Sequence, residues 1–294
     1  MSVNERKGVS VAKRASAIGP TGRPERFYPV PKKLDRHGPA RIISMCNQKG
    51  GVGKTTTAIN LGAALARYGR RVLAVDFDPQ GALSAGLGVP AHDVPTVYDL
   101  MLGKVKDPQA VIQRTDVEGL DLIPANIDLS AAEVHLVSEV AREQILAGVL
   151  RKVSSDYDVI LIDCQPSLGL LTVNALTASH GVLIPLACEY FALRGVALLI
   201  ETVEKVRDRL NPGLELDGII ATMYDPRTLH AREVLERVVS TFGDRVFDTV
   251  IGRTVKLPDA SVAAKPILEY APSNPAAEAY LQLARELVER GTVA

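Results

Sequence analysis

The ten residues Asn47-Gln48-Lys49-Gly50-Gly51-Val52-Gly53-Lys54-Thr55-Thr56 constrain this chain more than any other stretch. They follow an apolar run of strand length, Ile42–Cys46, and open a helix-length run, Thr55–Tyr68. Three glycines, Gly50, Gly51 and Gly53, let the backbone turn its N–H groups around an anion. A helix that begins near Lys54 aims its positive end at the same point. The strict phosphate-loop spacing G-x-x-x-x-G-K-[ST] is not met, because Gln48 stands where the first glycine belongs. A second lysine, Lys49, sits just ahead of the glycines instead.

A strand feeding such a loop and a helix leaving it belong to a sheet with helices packed on it. The rest of the chain agrees. Apolar runs at Val72–Asp76, Val159–Asp163, Gly181–Leu186 and Gly218–Thr222 alternate with helix-length stretches at Leu129–Val153, Leu193–Leu210, Leu229–Phe242 and Ala276–Arg290. Val-Leu-Ala-Val and Val-Ile-Leu-Ile are apolar at every position, which suits strands buried on both faces of a parallel sheet. The expected fold is α/β, a single doubly wound and mostly parallel sheet with helices on both faces, over residues 41–294. No internal repeat or second domain is visible.

Residues 1–40 read differently. They hold nine basic side chains and three acidic ones, so the arm is +6 and the remaining 254 residues are −6, which sum to the formal net charge of zero. Pro20, Pro24, Pro29, Pro31 and Pro39 break any long element there, and a flexible basic arm is expected. The short patch Phe27-Tyr28-Pro29-Val30 is its one candidate for docking on the body. Three cysteines, Cys46, Cys164 and Cys188, are too few for a disulfide framework and read as small buried residues. No run of 18 apolar residues suggests a membrane span, and the five histidines show no metal-ligand spacing.

The chemistry lies in three places. Lys54 neutralises the outer phosphates of a nucleotide, and the Thr55 hydroxyl is placed to ligate Mg²⁺. Val-Leu-Ala-Val-Asp76-Phe-Asp78-Pro79-Gln80-Gly81 is a buried strand ending in two carboxylates, which puts them at its C-terminal edge beside the loop. Val159-Ile-Leu-Ile-Asp163 is an apolar run ending in a carboxylate that would hold a water on Mg²⁺.

Lys-Gly-Gly-Val-Gly-Lys-Thr-Thr over 49–56 resembles the deviant Walker A loop of the ParA/Soj and MinD family of ATPases. Matches at 169–178, 189–195, 222–228 and 250–256 extend the likeness over nearly all of 41–294, and look closest to the chromosomal Soj-like partition proteins. The resemblance implies ATP and Mg²⁺ as cofactors, with nucleotide contacts at Lys49, Gly50, Gly51, Val52, Gly53, Lys54, Thr55 and Thr56. It implies that Lys49 reaches across a homodimer to the partner's phosphates. Catalysis would fall to Lys49, Lys54 and Asp78, the last orienting the attacking water. Thr55, Asp76 and Asp163 would surround the metal. Met223 and the segment around Gly252 would face the adenine, and Gly252 stands where the family commonly has proline. Gln165 likewise replaces the first proline of the family's Asp-x-Pro-Pro-Ser. Arg227 and Lys256, with Arg253 nearby, map to positions that bind double-stranded DNA without sequence preference.

The implied function is an ATP-switched, DNA-binding ATPase of chromosome partitioning, cytoplasmic and nucleoid-associated. Its hydrolysis would be weak until DNA and a ParB-like partner stimulate it. An ATP-gated regulator of division, replication or condensin loading is the alternative. A MinD-like membrane ATPase needs a basic amphipathic C-terminus, whereas Glu278–Arg290 holds three glutamates against two arginines and reads as a helix docked on the core. A redox ATPase like the nitrogenase iron protein needs cluster-ligating cysteines at a dimer surface, a placement that Cys164 and Cys188 do not match.

Overall fold

The runs that are apolar at every position become strands buried on both faces. Residues 17–189 and 192–294 are described in the computed structural model. Among them, seven strands form one sheet: β1 (Arg41–Met45), β2 (Val72–Phe77), β3 (Gln113–Arg114), β4 (Leu120–Ile123), β5 (Val159–Cys164), β6 (Gly181–Ala187) and β7 (Glu215–Thr222). Their order is β3-β4-β2-β5-β1-β6-β7, and every pairing is parallel except the short β3–β4 edge. Each residue of β2, β5 and β6 is buried.

The helices are α1 (Lys54–Arg67), α2 (Ala82–Gly86), α3 (Val97–Met101), α4 (Leu129–His135), α5 (Ile145–Arg151), α6 (Leu170–Ala178), α7 (Ala192–Arg209), α8 (Leu229–Phe242), α9 (Lys256–Val262), α10 (Ile267–Tyr270) and α11 (Pro275–Glu289). Alternate strand residues face opposite cores. Ile42, Leu73, Val75, Ile160 and Ile162 pack with α5 to α8, while Ile43, Val72, Ala74, Val159 and Leu161 pack with α1 and α11. That is the doubly wound sheet expected from the sequence. The C-terminal helix is part of it. Tyr280, Leu283, Ala284 and Leu287 of α11 are fully buried, so its apolar stripe is spent on the core. Burying side chains of this size stabilises by roughly 1.5–3 kcal/mol each. Among the described residues no helix is long and apolar enough to cross a membrane.

One expected helix is broken. Leu129–Val153 divides into α4, a short turn at Leu136–Ser138, a second at Arg142–Gln144, and α5. Glu139 is extended, with ψ 137°, and Ala141 takes a left-handed φ of 53°, so the helical ladder cannot run through. The fully buried Asn174 of α6 satisfies backbone groups freed by the break. Its Nδ2 donates to the Arg142 carbonyl at 2.9 Å and its Oδ1 accepts from the Leu146 N–H at 3.2 Å. The local periodicity was helical, but a partner from another element supplied hydrogen bonds that favoured the break.

From Ala17 onward the arm has no long element, as its prolines dictate, yet it is fastened to the body. Arg23 donates to Asp248 Oδ1 at 2.7 Å and to the Val246 carbonyl at 2.9 Å, and the Tyr28 hydroxyl donates to Asp248 Oδ2 at 2.8 Å. Tyr28 is buried while its neighbour Phe27 is 81% exposed, so only one ring of the patch docks. Further on, His37 Nδ1 and the Gly38 N–H meet the Asp158 carboxylate at 2.7 and 2.9 Å. Asp248 and Asp158, both remote in sequence, supply the charged acceptors that fasten residues 17–40 to the body. Residues 1–16 lie outside the described residues.

Candidate nucleotide site

The loop between β1 and α1 is braced from both sides. Asn47, buried, accepts from the Lys49 N–H at 3.0 Å and donates to the Pro185 carbonyl of β6 at 2.8 Å. Thr222, the last residue of β7, donates to the Val52 carbonyl at 2.8 Å. Gly51 and Gly53 have φ of 72° and 89°, the left-handed region that glycine enters without a Cβ clash. The first turn of α1 carries no acidic residue and no side-chain cap, so its N–H groups face the loop's concave side uncapped. Lys54 is only 6% exposed. Among the described residues its ammonium makes one hydrogen bond, a long one of 3.4 Å to the Lys49 carbonyl. A buried cation so weakly satisfied beside uncapped helix N–H groups is suited to a multiply charged anion.

Three carboxylates stand at the C-terminal ends of the central strands. The β2–β5 register sets Asp76 directly beside Asp163. Asp76 Oδ2 accepts from the Ser84 N–H and hydroxyl at 2.8 and 2.7 Å, and its Oδ1 accepts from the Asp78 N–H at 3.3 Å. Asp163 Oδ2 accepts from the Thr55 hydroxyl at 2.6 Å, while among the described residues the buried Oδ1 has no hydrogen-bond partner. Thr55 and an under-satisfied carboxylate in contact, with a second carboxylate alongside, fit the few protein ligands that Mg²⁺ takes when phosphates and waters complete its shell. Asp78 is half-buried and opens a turn in which its Oδ1 accepts from the Gln80 N–H at 3.0 Å. The turn closes at Gly81, φ 64°, where a Cβ would come within 2.9 Å of the Ala125 carbonyl oxygen.

Burial pushes the Asp163 carboxyl from its ordinary 3.8 up to about 8, with the adjacent Asp76 charge adding to it and Thr55 and Lys54 opposing. Burial likewise pushes Asp76 up to about 6, against the two Ser84 hydrogen bonds. Between 3.8 and about 8 the folded protein without a cation therefore binds more protons than the unfolded chain. The contribution of these groups to stability is full below that window and is lost as pH rises through it. We expect the Tm difference between wild type and Asp163→Asn to change in that sense across the window in nucleotide-free, metal-free buffer. A difference that does not vary with pH contradicts the assignment.

Lys49 is exposed and ion-paired with Glu189 at the end of β6 of its own chain, and that contact holds the Glu189 carboxyl below its usual range. Met223 follows β7 with a left-handed φ of 52°, unusual for a side chain with a Cβ. Tyr224 bridges Gly252, which lays segment 222–224 against 251–253, and the Thr222 side chain comes within 3.9 Å of a Cβ position on Gly53. Arg227 is bidentate on Asp225, at 2.9 and 2.7 Å, and Lys256 meets Asp259 at 3.3 Å. Arg253 is exposed.

A sequence profile described as an AAA domain matches residues 40–216. The chromosome-partitioning ATPase Soj of Treponema pallidum is 53% identical over 250 residues, 85% of this chain and 98% of that protein. The chromosome partitioning protein ParA of Caulobacter vibrioides is 46% identical over 255 residues, 86% of this chain and 95% of its own. This chain belongs to the ParA/Soj family of ATPases. A solved structure of cobyrinic acid a,c-diamide synthase from Mycobacterium smegmatis with bound ADP and magnesium is similar too. It has a TM-score of 0.76 at 42% identity and covers 86% of this chain and 96% of its own.

The sequence assigns no role to several residues that shape this ParA/Soj site. Ser84 fixes Asp76 from eight residues away, and Asn47 and Thr222 brace the loop through single hydrogen bonds. Glu133 of α4 is another. Gln165 Nε2 donates to its Oε1 at 3.3 Å, a bond that a proline at 165 could not make. Glu133 also occupies the space that a Cβ on Gly169 would need. Cys46 and Cys164 lie buried with their sulfurs 3.3 Å apart, and this contact and burial push the Cys164 thiol well up, so it is an unreactive packing residue. Among the described residues no group of three His, Cys, Asp or Glu is placed to hold a metal.

Proposed function

We propose that the chain is an ATP-dependent molecular switch of chromosome partitioning, which dimerises and binds DNA nonspecifically with ATP and resets by hydrolysis. The observation that carries this reading is the convergence of Lys54, Thr55, Asp76, Asp78 and Asp163 at one end of the sheet, with Lys49 outside it. In this reading the loop N–H groups and Lys54 hold the β- and γ-phosphates. Thr55, Asp163 and Asp76 would hold Mg²⁺. When bound, the metal neutralises charge that builds on the transferred phosphoryl group. Asp78 orients the water that attacks it. Lys49 leaves Glu189 and reaches the phosphates of a second copy, which makes the dimer dependent on ATP. Met223 and the segment around Gly252 flank the base.

Arg227, Arg253 and Lys256 supply phosphate contacts with DNA, doubled in the dimer, and a ParB-like partner stimulates hydrolysis. The site of action is then cytoplasmic and nucleoid-associated. The pairing of Arg227 with Asp225 and of Lys256 with Asp259 favours a second reading, an ATP-gated regulator with little DNA contact of its own. Fluorescence anisotropy with a random-sequence duplex separates the two. With ATP and Mg²⁺ the partition reading expects tight, salt-sensitive binding that ADP does not support, and equal binding with ATP and ADP overturns it.

A further inference from the structure

Beside the loop that follows β7 lies a cavity that body and arm enclose together. Its volume is about 640 Å³, and it is lined by Tyr224, Pro226, Gly252 and Pro275 of the body and by Ile18 and Pro20 of the arm. The lining holds one cation, Arg253, and no carboxylate. The cavity adjoins the phosphate loop. Thr222, whose hydroxyl donates to the Val52 carbonyl, stands two residues before Tyr224, a span of at most about 7 Å of chain. The Tyr224 N–H donates to the Ile251 carbonyl at 3.1 Å, and the Tyr224 carbonyl accepts from the Arg253 N–H at 2.9 Å. A mostly apolar cavity with few polar groups, next to a phosphate cradle, suits a flat uncharged ring.

The arm reaches this cavity because a short hairpin is strapped to the segment that carries Gly252. Residues 17–25 fold back on themselves. The Glu25 N–H donates to the Ala17 carbonyl at 2.7 Å and the Gly19 N–H to the Arg23 carbonyl at 2.8 Å, with Ile18 bridging Pro24. Arg23 then binds the Val246 carbonyl and the Asp248 carboxylate, and Tyr28 donates to the other Asp248 oxygen. Asp248 is itself fixed. Its N–H and that of Thr249 donate to the fully buried Glu286, both at 2.8 Å. The Phe247 N–H donates to the Ile219 carbonyl and the Ile251 N–H to the Ala221 carbonyl, both at 2.9 Å, so this segment lies along β7. The anchor at Asp248 is thus on the same braced segment as Gly252, four residues before it. Gly252 supplies no side chain, and among the described residues a Cβ there would meet only the Tyr224 carbonyl oxygen, at 3.8 Å. Its side of the cavity is therefore open. Ile18 is 68% exposed at the same cavity. A single surface isoleucine needs no explanation, but this one is held at an apolar cavity by the Arg23 and Tyr28 contacts.

We propose that Ile18 and Pro20 form an outer wall of the pocket for the nucleotide base, and that Arg23, Tyr28 and Asp248 are positioning residues that hold this wall in place. The wall has this role only if the base lies beside Met223 and Gly252, as proposed above. When ATP binds, the base covers the wall, so the arm adds to affinity by burying apolar surface and leaves the phosphates to the loop. Such a contact is the same in ground and transition states and belongs in KM rather than in kcat. An apolar wall offers no partner to the exocyclic groups of a base. The preference it adds is for the larger ring, purine over pyrimidine.

The test uses the full-length protein with Mg²⁺. Photolabelling with 8-azido-ATP, followed by peptide mapping, should place label on residues 17–23 as well as on 222–224 or 250–254. Label on the body segments without the arm overturns the proposal and leaves the base placement standing, whereas label on neither overturns both. ATP hydrolysis is then compared for wild type, Ile18→Ala, Arg23→Gln and, as a control on the same arm, Phe27→Ala, whose ring is exposed. Ile18→Ala should raise KM about fivefold and Arg23→Gln about tenfold at unchanged kcat, the size expected for apolar contacts in a ligand pocket. Phe27→Ala should match wild type. Ile18 is exposed without nucleotide, so its variant reads the wall even if Arg23→Gln loosens the fold. A KM equal to the control in both variants, or a loss of kcat with KM unchanged, would each sink the proposal.

Discussion

Lys54→Ala abolishes the thermal protection that ATP gives this protein and lowers hydrolysis by roughly 10²- to 10³-fold, the cost of losing one aimed cation or donor at a site of developing charge. The expected result has a second half, set by burial. Lys54 is 6% exposed, with one long hydrogen bond to the Lys49 carbonyl. A desolvated ammonium so poorly paired weakens the nucleotide-free fold, because its lost hydration is not matched. Removing it should leave the nucleotide-free Tm unchanged or slightly higher. Ligand protection at about 100 times Kd is worth about 2.7 kcal/mol, so its loss is easily read in a melting experiment with ATP and Mg²⁺. A variant that melts well below wild type without nucleotide, yet is still protected by ATP, would show that Lys54 is a structural cation.

Asp78→Ala is expected to separate binding from turnover. Asp76 and Asp163 are buried and tied to Ser84 and Thr55, whereas Asp78 is half-buried, and among the described residues its carboxylate accepts only from the Gln80 N–H two residues on. Losing that local bond to a half-exposed carboxylate costs on the order of 1–3 kcal/mol. Water orientation and proton acceptance contribute typically 10²- to 10⁴-fold, and phosphate release should fall by about that much. The variant should keep ATP affinity and accumulate in the DNA-bound state. Measuring phosphate release and duplex binding on one sample decides it. Turnover within a few-fold of wild type would remove Asp78 from the mechanism, and loss of ATP binding would place it with Asp76 and Asp163 around the metal.

The strands and the helices that follow the loop were legible because their signals are local. Val72–Asp76 and Val159–Asp163 are apolar runs ending in acids, and the structure extends each by one residue, to Phe77 and Cys164. Glu215–Thr222 begins three residues earlier than expected, since its first residues are exposed or half-buried and break the apolar run. The break between α4 and α5 was not legible, because it depends on Asn174, a residue of another element. The anchoring of the arm was hidden for the same reason. Nothing near Arg23 or Tyr28 announces Asp248 as their acceptor.

The sequence by itself determined the chemistry available at the site: a glycine loop with two lysines, a threonine at the head of a helix, and carboxylates at the ends of buried strands. These are written in contiguous residues, whose φ preferences and apolar periods act over one or two turns of chain. Tertiary structure alone decided which of those groups meet and which charges stay free. Strand register put Asp76 beside Asp163, and burial in the closed fold raised both pKa values. Packing carried Glu133 to Gln165, brought Arg23 and Tyr28 to Asp248, and gathered Lys33, Arg67 and Arg71 around one cavity. Hydrogen bonds and ion pairs act over a few ångströms of space, and only the closed fold sets that distance for residues far apart in the chain.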